Sequence, residues 1–230
     1  MKRAVLDALL RARRAKRPAA LVTDLASGEQ WLHDAGARPP VGCAEEILPA
    51  IQAALRADRA GPLALGGREL FINVWNPPLR MIVIGAVHIA QPLVHAARLA
   101  GFEVFVIDPR HSFAADARFP GVTIATQWPD DALAALAPDA RCAVVALTHD
   151  PKLDDPALAF ALRSEVFYIG ALGSRKTHAK RVERLREHGF SSEEIARIRA
   201  PIGLAIGAKT PAEIAISIIA EVVSQLRQPQ

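Results

Sequence analysis

The sequence lacks the features that mark several large classes of protein. It has only two cysteines in 230 residues, too few for a disulfide framework, which suits a reducing compartment. No apolar run reaches the roughly 18 residues that span a bilayer, and the N-terminus has no continuous apolar stretch of the kind found in signal peptides. We therefore expect a cytoplasmic protein with no membrane partner.

Aromatic residues and metal-binding patterns are also scarce. Phe, Trp and Tyr make up 5% of the chain, and no nucleic-acid recognition module follows the Lys- and Arg-rich segment of residues 2–17. We interpret that segment as a solvated helix face and expect no nucleic-acid partner. Neither C-x-x-C nor H-E-x-x-H occurs in the sequence, so the sequence predicts no metal site.

Residues 1–78 have the pattern of a small α+β domain. A helix at the N-terminus is followed by a hairpin over residues 20–33, a second helix over 44–55 and a strand over 69–74. The segment Asn76-Pro77-Pro78 continues neither a helix nor a strand. We therefore place a domain boundary there.

Residues 79–230 show a regular alternation of strands and helices instead. Strands are predicted at residues 80–84, 104–107, 122–125, 143–147 and 166–169, and helices at 89–99, 130–136, 157–162, 177–187 and 212–226. Near-continuous apolar strands separated by helices are typical of a parallel sheet covered on both faces. The predicted fold class is thus α/β, a Rossmann-like domain joined to the small N-terminal α+β domain.

The first strand of the second domain ends in a partial dinucleotide fingerprint. Gly85 and Ala90 occupy the first and third glycine-type positions of G-x-G-x-x-G/A, but Val87 stands at the second. A branched side chain there obstructs the approach of a pyrophosphate. Asp108, at the end of the second strand, is placed to bind a ribose hydroxyl. His88, at the start of the first helix, either points toward the ligand or faces solvent.

Two later turns combine glycine, hydroxyl and cationic residues at predicted helix starts. The candidate contacts are Gly173, Ser174 and Arg175 in the first turn, and Gly207, Lys209 and Thr210 in the second. Unpaired N–H groups and the helix dipole favour anions at such positions. The sequence therefore predicts a ligand that carries phosphate or another concentrated negative charge.

Each turn also has a purely structural interpretation. The first can be a capped helix whose cations Arg175, Lys176, Lys180 and Arg181 face water. The second contains a capping-box pattern, Thr210-Pro-Ala-Glu213, whatever else it does.

Three more residues are candidates for chemistry. His149 and Asp150 follow the fourth strand and can contact ligand or form an acid–base pair. Alternatively, Asp150, Asp154 and Asp155 are ordinary turn and cap residues. Cys43 begins a predicted helix, where a thiol can have a lowered pKa and act as nucleophile or ligand; the alternative is a small residue that packs.

Taken together and in this order, the turns resemble those of the XdhC/CoxI family. The similar segments are residues 84–88, 106–110, 147–150, 168–175, 200–204 and 206–214, and Gly42-Cys43-Ala-Glu45 resembles the family's glycine-cysteine-acidic loop. The resemblance implies a chaperone that binds molybdenum cofactor, as molybdopterin or its dinucleotide form. Such a chaperone delivers its cargo to the apo-form of a molybdenum hydroxylase such as xanthine dehydrogenase. Cofactor-synthesis or sulfuration proteins are further implied partners, and a homodimer is consistent with the resemblance.

Two other functions remain open at this point. One is a small NAD(P)-dependent oxidoreductase, which Asp108 favours and Val87 opposes. The other is a nucleotide-sensing module whose basic N-terminus contacts a partner protein. An N-terminal unit of about 75 residues offers little room for a substrate domain, so we favour a non-catalytic carrier over an enzyme.

Overall fold

The computed structural model describes residues 2–34, 45–110 and 118–227. The chain forms two compact units, Met1–Pro77 and Pro78–Gln230. Cys43 lies outside the described residues. Across the three described ranges, no helix is both long enough and apolar enough to cross a bilayer.

Within the residues that the structure describes, the N-terminal unit is a four-stranded antiparallel sheet with two α-helices. Its elements are α1 (Arg3–Arg14), β1 (Ala19–Asp24), β2 (Gln30–Asp34), a 3-10 turn (Glu45–Ile47), α2 (Leu48–Ala57), β3 (Gly61–Leu65) and β4 (Arg68–Trp75). The strand order is β2-β1-β4-β3. Ile51 of α2 packs with Val22 and Ile72 of the sheet in one apolar cluster. Side chains alternate between the two faces of a sheet, and α2 covers the face to which Val22 and Ile72 point.

Strand β3 adds to the elements predicted from sequence. Its residues alternate between half-buried and exposed positions, and it pairs antiparallel with β4. The turn between them is Gly66-Gly67, with φ of 57° and 72°. Two consecutive glycines at positive φ are a strong hairpin signal, whereas Gly61 and Pro62 hide the strand from a propensity-based prediction.

The C-terminal unit is a six-stranded parallel sheet covered by helices. Its elements are β5 (Arg80–Ile84), α3 (Ala90–Leu99), β6 (Glu103–Ile107), β7 (Thr123–Ala125), α4 (Pro129–Leu136), β8 (Cys142–Ala146), α5 (Pro151–Leu162), β9 (Tyr168–Ala171), α6 (Arg175–Glu187), α7 (Ser192–Ile195), β10 (Ile198–Arg199) and α8 (Pro211–Arg227). The order β10-β9-β8-β5-β6-β7 is the doubly wound order of a Rossmann fold. The predicted fold class is confirmed.

The two faces of this sheet bury separate apolar layers. Met81 and Val83 of β5 belong to the layer that includes α3 and α8 residues. Ile82 and Ile84 belong to the layer beneath α4, α5 and α6. The four apolar residues of β5 are therefore buried on both faces of the sheet, which explains the near-continuous apolar pattern of the strand.

Helix α5 begins at Pro151 rather than at residue 157. Asp150 is its N-cap, since the Asp150 side chain accepts a hydrogen bond from the Lys152 N–H, and Pro151 occupies the first turn. A proline at the first helical position is compatible with a helix start, but Pro156 inside the helix makes the segment look like a loop. The earlier start matters because it places Asp154 on the helix.

Candidate functional site

The candidate site lies at the carboxyl edge of the parallel sheet. Ile84 at the end of β5 pairs with Ile107 on one side and Ala146 on the other, and Ala146 pairs with Ala171 of β9. The turns after these strands therefore lie side by side. The chain reverses its direction of winding between β5 and β8, and ligands of doubly wound sheets bind in the crevice at such a switch point.

The turn after β5 is pressed against the turn after β8. Gly85 has φ of 103°, and a Cβ at this position would lie 2.5 Å from Thr148 Cγ2. The Leu147 N–H donates to the Ile84 carbonyl at 2.9 Å, which continues the sheet into the turns. Gly85 is thus required by the approach of Thr148 as well as by its backbone conformation.

Asp108 closes β6 and is fully buried. Its carboxylate accepts a hydrogen bond from the Ala86 N–H at 2.8 Å and two from the Arg110 guanidinium at 2.8 and 2.9 Å. Burial opposes ionisation, but the hydrogen bonds from Arg110 and Ala86 hold the pKa of Asp108 below its usual value. A ribose hydroxyl at Asp108 would compete with these bonds.

The same contacts bring a cation into the crevice. Hydrogen bonds to Asp108 raise the pKa of Arg110, and the charges of Asp150 and Asp154 raise it further. Arg110 therefore lies within electrostatic reach of the β8 turn as well as of β6. This residue belongs to a sequence segment that resembles the family, yet its charge was not among the predicted ligand contacts.

Both polar backbone atoms of Ala86 are engaged within the protein. The N–H donates to Asp108, and the carbonyl accepts from Arg118 Nη1 at 2.7 Å. Val87 is half-buried and packs against the apolar core, while His88 is exposed. The Ala86 N–H is therefore already bonded to Asp108. A pyrophosphate bound at the turn after β5 would need this N–H group.

The turns after β8 and β9 meet at His149 and Gly173. His149 has φ of 62°, and a Cβ at Gly173 would lie 3.7 Å from His149 Nδ1 and 3.1 Å from Thr177 Cγ2. Asp150 caps α5 by accepting the Lys152 N–H at 3.0 Å. In the described parts of the chain, no hydrogen bond joins His149 to Asp150.

Ser174 and Arg175 lie at the start of α6. Ser174 Oγ accepts the Thr177 N–H at 3.1 Å, so it is the N-cap, and the Arg175 side chain extends from an exposed position. Two residues of the cationic run, Lys176 and Lys180, are also exposed. Arg181 is different, because only 2% of its side chain is exposed. The interpretation of all four cations as a solvated face is therefore wrong for Arg181, which faces α5.

The turn before α8 contains the predicted capping box. The Glu213 carboxylate accepts the N–H groups of Lys209 and Thr210 at 2.7 and 3.0 Å, and Thr210 Oγ1 accepts the Glu213 N–H at 3.3 Å. Gly207 has φ of 76° with open space around it, and Lys209 is exposed. An anion bound at this helix end would have to approach beside the Glu213 carboxylate.

A cavity of about 210 Å³ lies between α5 and α6. Its lining residues are His149, Pro151, Asp154, Lys176, Thr177, Lys180, Arg181 and Arg184. Lys176, Lys180 and Arg184 are spaced four residues apart, so they share one helix face. That spacing can be read from the sequence, but it does not predict a cavity, because a helix face that only contacts solvent has the same spacing. In the described residues, no group of three or more His, Cys, Asp and Glu side chains is arranged to hold a metal ion.

Comparison with known proteins gives a consistent picture. A family model described as XdhC Rossmann domain matches residues 81–222. The molybdenum cofactor insertion chaperone PaoD of Escherichia coli (strain K12) is 33% identical over 150 residues, which is 65% of this chain and 41% of PaoD. A probable xanthine dehydrogenase subunit of Bacillus subtilis (strain 168) is 32% identical over 156 residues, which is 67% of this chain and 45% of that protein.

The chain is thus similar to less than half the length of these two curated relatives. A third relative, the uncharacterized protein YqeB of Escherichia coli (strain K12), is 34% identical over 167 residues, or 73% of this chain and 31% of YqeB. A crystal structure of a xanthine dehydrogenase from Bacillus halodurans covers 97% of this chain, and the match spans 63% of that chain. Its TM-score of 0.66 at 24% identity shows a shared fold.

Proposed function

The chain belongs to the XdhC family, and from this premise we propose that it binds molybdenum cofactor and delivers it to the apo-form of a molybdenum hydroxylase such as xanthine dehydrogenase. The observation that carries the proposal is the row of cationic turns along the sheet edge, in the unit that the family model matches. The similarity to a molybdenum cofactor insertion chaperone supports the choice of cargo.

The charge of the cargo suits the residues along the edge. Molybdopterin carries a phosphate, and its dinucleotide form carries a pyrophosphate. Arg110 lies within electrostatic reach of the β8 turn, Arg175 extends from the start of α6, and Lys209 precedes α8. Cations and helix N-termini are the groups that hold phosphates. Each charge-assisted hydrogen bond contributes about 1.5–3 kcal/mol, so a few suffice for a carrier that must also release its cargo.

The other candidate residues have distinct places in this proposal. Gly85 and Gly173 allow neighbouring turns to approach closely, and His149 lies against the Gly173 turn. Asp108 acts indirectly, because it holds Arg110 and the Ala86 N–H. We assign contacts with the cargo to His149, Arg175 and Lys209. Cys43 is proposed to act in delivery or sulfuration, together with the proteins that perform those steps.

The proposal is tested by isolating the protein from molybdenum-replete cells. The sample is denatured under oxidising conditions, and the fluorescent pterin that is released is compared with the amount of protein. We expect stoichiometric pterin from the wild type, and less from Arg175→Ala and Lys209→Ala. Arg186→Ala is the matched control, since Arg186 is exposed on α6 and its guanidinium donates to the Ser192 hydroxyl, away from the sheet edge. Pterin-free wild-type protein would refute the assigned cargo.

A second measurement tests delivery. Apo-xanthine dehydrogenase is incubated with loaded wild-type protein or loaded Cys43→Ser protein, and the recovered activity is compared. We expect slower activation with the variant, at unchanged folding. Equal activation would leave Cys43 without a role in delivery.

A further inference from the structure

Arg181 is an unusual residue in the wall of the cavity between α5 and α6. Its side chain is 2% exposed, and its only direct hydrogen bond within the described residues runs from Nη2 to the Leu172 carbonyl at 3.1 Å. The Nε and Nη1 groups are buried and have no hydrogen-bond partner in the described chain. Leaving a charged donor buried and unpaired is costly, and native proteins do so rarely.

The nearest carboxylate does not satisfy this guanidinium. Asp154 Oδ2 lies 3.6 Å from Arg181 Nη2, beyond hydrogen-bond distance, and Oδ2 is itself without a partner among the residues that the structure describes. The other oxygen of Asp154 is held by the Thr148 hydroxyl at 2.7 Å. Asp154 therefore offsets the charge of Arg181, but the Nε and Nη1 groups of Arg181 still lack a hydrogen-bond acceptor among the described residues.

The remaining charges of the cavity do not cancel. Arg184 is paired with Asp155 through two hydrogen bonds, and Arg181 is offset by Asp154. Lys176 and Lys180 line the same cavity, and neither ammonium group makes a hydrogen bond or ion pair within the described residues. The cavity thus has an excess of positive charge. Lys176 lies in the first turn of α6, where the helix dipole adds to the attraction for anions.

The size of the cavity limits what can enter it. Ligand pockets usually measure roughly 300–1,000 Å³, so a volume of about 210 Å³ suits a single small group better than a whole molybdopterin or nucleotide. It is sufficient for one tetrahedral oxyanion and its water. A planar guanidinium and two ammonium groups are the donors that proteins use for such anions.

We propose that the cavity between α5 and α6 is a binding site for a tetrahedral phosphate-type dianion, held by Lys176 and Lys180 and by the incompletely paired guanidinium of Arg181 in the cavity wall. The site does not depend on the identity of the cargo. Two sources share its chemistry, a phosphate ester on the cargo and a free inorganic oxyanion. His149 lines the cavity and also lies where the turns after β8 and β9 meet. The cavity therefore adjoins the crevice, and a phosphate group of the cargo can enter the cavity from there.

The test uses the full-length protein and inorganic phosphate as the probe. Binding is measured by isothermal titration calorimetry at constant ionic strength, with potassium chloride replacing the phosphate salt in the reference titration. We expect one saturable phosphate site, weakened about tenfold or more by Lys180→Gln and by Lys176→Gln. Arg186→Gln on the same helix is the control and should bind like the wild type. Both lysines are exposed, so these variants keep the fold, which thermal unfolding will verify.

Two results would overturn the proposal. One is a phosphate affinity that is equal in Lys180→Gln, Lys176→Gln and the control. The other is binding that chloride abolishes at matched ionic strength, which would describe nonspecific screening of a cationic surface.

A competition experiment separates the two sources. If phosphate releases pterin from loaded protein in the wild type, and a higher concentration is needed in Lys180→Gln, the cargo's own ester occupies the site. If phosphate and pterin bind together, the site takes a free oxyanion. Lysine-dependent phosphate binding by protein that never contains pterin would refute the proposed cargo and leave this site intact. Stoichiometric pterin without lysine-dependent phosphate binding would refute the site alone.

Discussion

Single residues determine how closely the turns of the candidate site approach one another. At Gly85 and at Gly173 the backbone has positive φ, and a Cβ atom would lie 2.5 Å from Thr148 Cγ2 at the first position and 3.1 Å from Thr177 Cγ2 at the second. Asp108 fixes the first of these turns through the Ala86 N–H. These uncharged positions fix the backbone of the turns on which the candidate charged residues lie.

We predict that Gly85→Ala lowers the free energy of unfolding by about 2–4 kcal/mol, from backbone strain and overpacking together. The new Cβ would lie 2.5 Å from Thr148 Cγ2 at a φ of 103°. Gly207→Ala is the matched control: it has positive φ but open space, so it should cost only about 1 kcal/mol. Urea unfolding of both variants measures the difference. Equal losses would mean that Thr148 moves aside without cost.

A second residue-scale prediction concerns Val87 and separates a cofactor carrier from a dehydrogenase. If NAD bound in the turn after β5, Val87→Gly would admit the pyrophosphate and tighten binding. Because Ala86 is already bonded to Asp108 and Arg118, we expect poor NADH binding in both forms, measured by fluorescence titration. The variant should also lose about 1–2 kcal/mol of stability from reduced burial and added backbone freedom. Tight NADH binding by the wild type would revive the oxidoreductase.

At the scale of elements, the turn between β1 and β2 depends on one carboxylate. Asp24 accepts the N–H groups of Ala26 and Ser27 at 3.0 and 2.9 Å and pairs with Arg68 at 2.8 Å. These contacts, the Ser27 N–H first and Arg68 next, lower the pKa of Asp24 to about 2. The carboxylate therefore connects the β1–β2 turn to the start of β4 only while it is ionised.

We predict that this contribution to stability depends on pH in a defined window. A carboxylate whose pKa is lower in the folded state stabilises fully above its unfolded pKa of about 4. The stabilisation is then lost as the pH falls through the folded value of about 2. Asp24→Asn should be less stable at pH 7 and should lose less stability on acidification. Acid unfolding followed by circular dichroism measures this, with Asp7→Asn on the exposed face of α1 as control. An identical pH dependence in Asp24→Asn and wild type would contradict the prediction.

The elements that sequence could predict are those whose pattern repeats over several residues. The buried strands β5, β6 and β8 have near-continuous apolar runs, and the Thr210–Glu213 capping box is a local pattern that the structure contains. Helix α7 and strand β10 have only four and two residues, too short for any period to show. The start of α5 was hidden by its own prolines, although Asp150 before Pro151 is a regular helix start.

The candidate site was predictable in its position but not in its charges. Parallel strands end at one edge, so glycine turns after them must gather there whatever their contacts. The burial of Arg181 was not predictable, because the sequence pattern of α6 does not distinguish a cation that faces solvent, such as Lys176 or Lys180, from one that a neighbouring helix covers. Only the packing of α6 against α5 distinguishes the two cases. The bonds of Asp108 to Arg110 and Ala86 depend in the same way on tertiary structure.

At the scale of the whole molecule, the position of the family match indicates which unit to test for cargo binding. The family model matches residues 81–222, within the unit Pro78–Gln230. All cargo contacts that we assign from the structure belong to that unit. We therefore expect the cargo to act on the second unit, and its effect on each unit can be measured without identifying the recipient enzyme.

We predict that the cargo stabilises the second unit selectively. A ligand that binds only the folded state makes global opening rarer by the factor 1 + [L]/Kd, about a hundredfold or 2.7 kcal/mol when the free ligand is at 100 times its Kd. Hydrogen exchange by mass spectrometry, on pterin-loaded and stripped protein, should show slower exchange in peptides covering the β8–α5 and β9–α6 turns and in the sheet between them. Peptides from β1 to β4 should exchange equally in both samples, since ligand binding protects the unit it holds closed. Protection confined to the N-terminal peptides would place the cargo in the first unit and remove His149, Arg175 and Lys209 from the site.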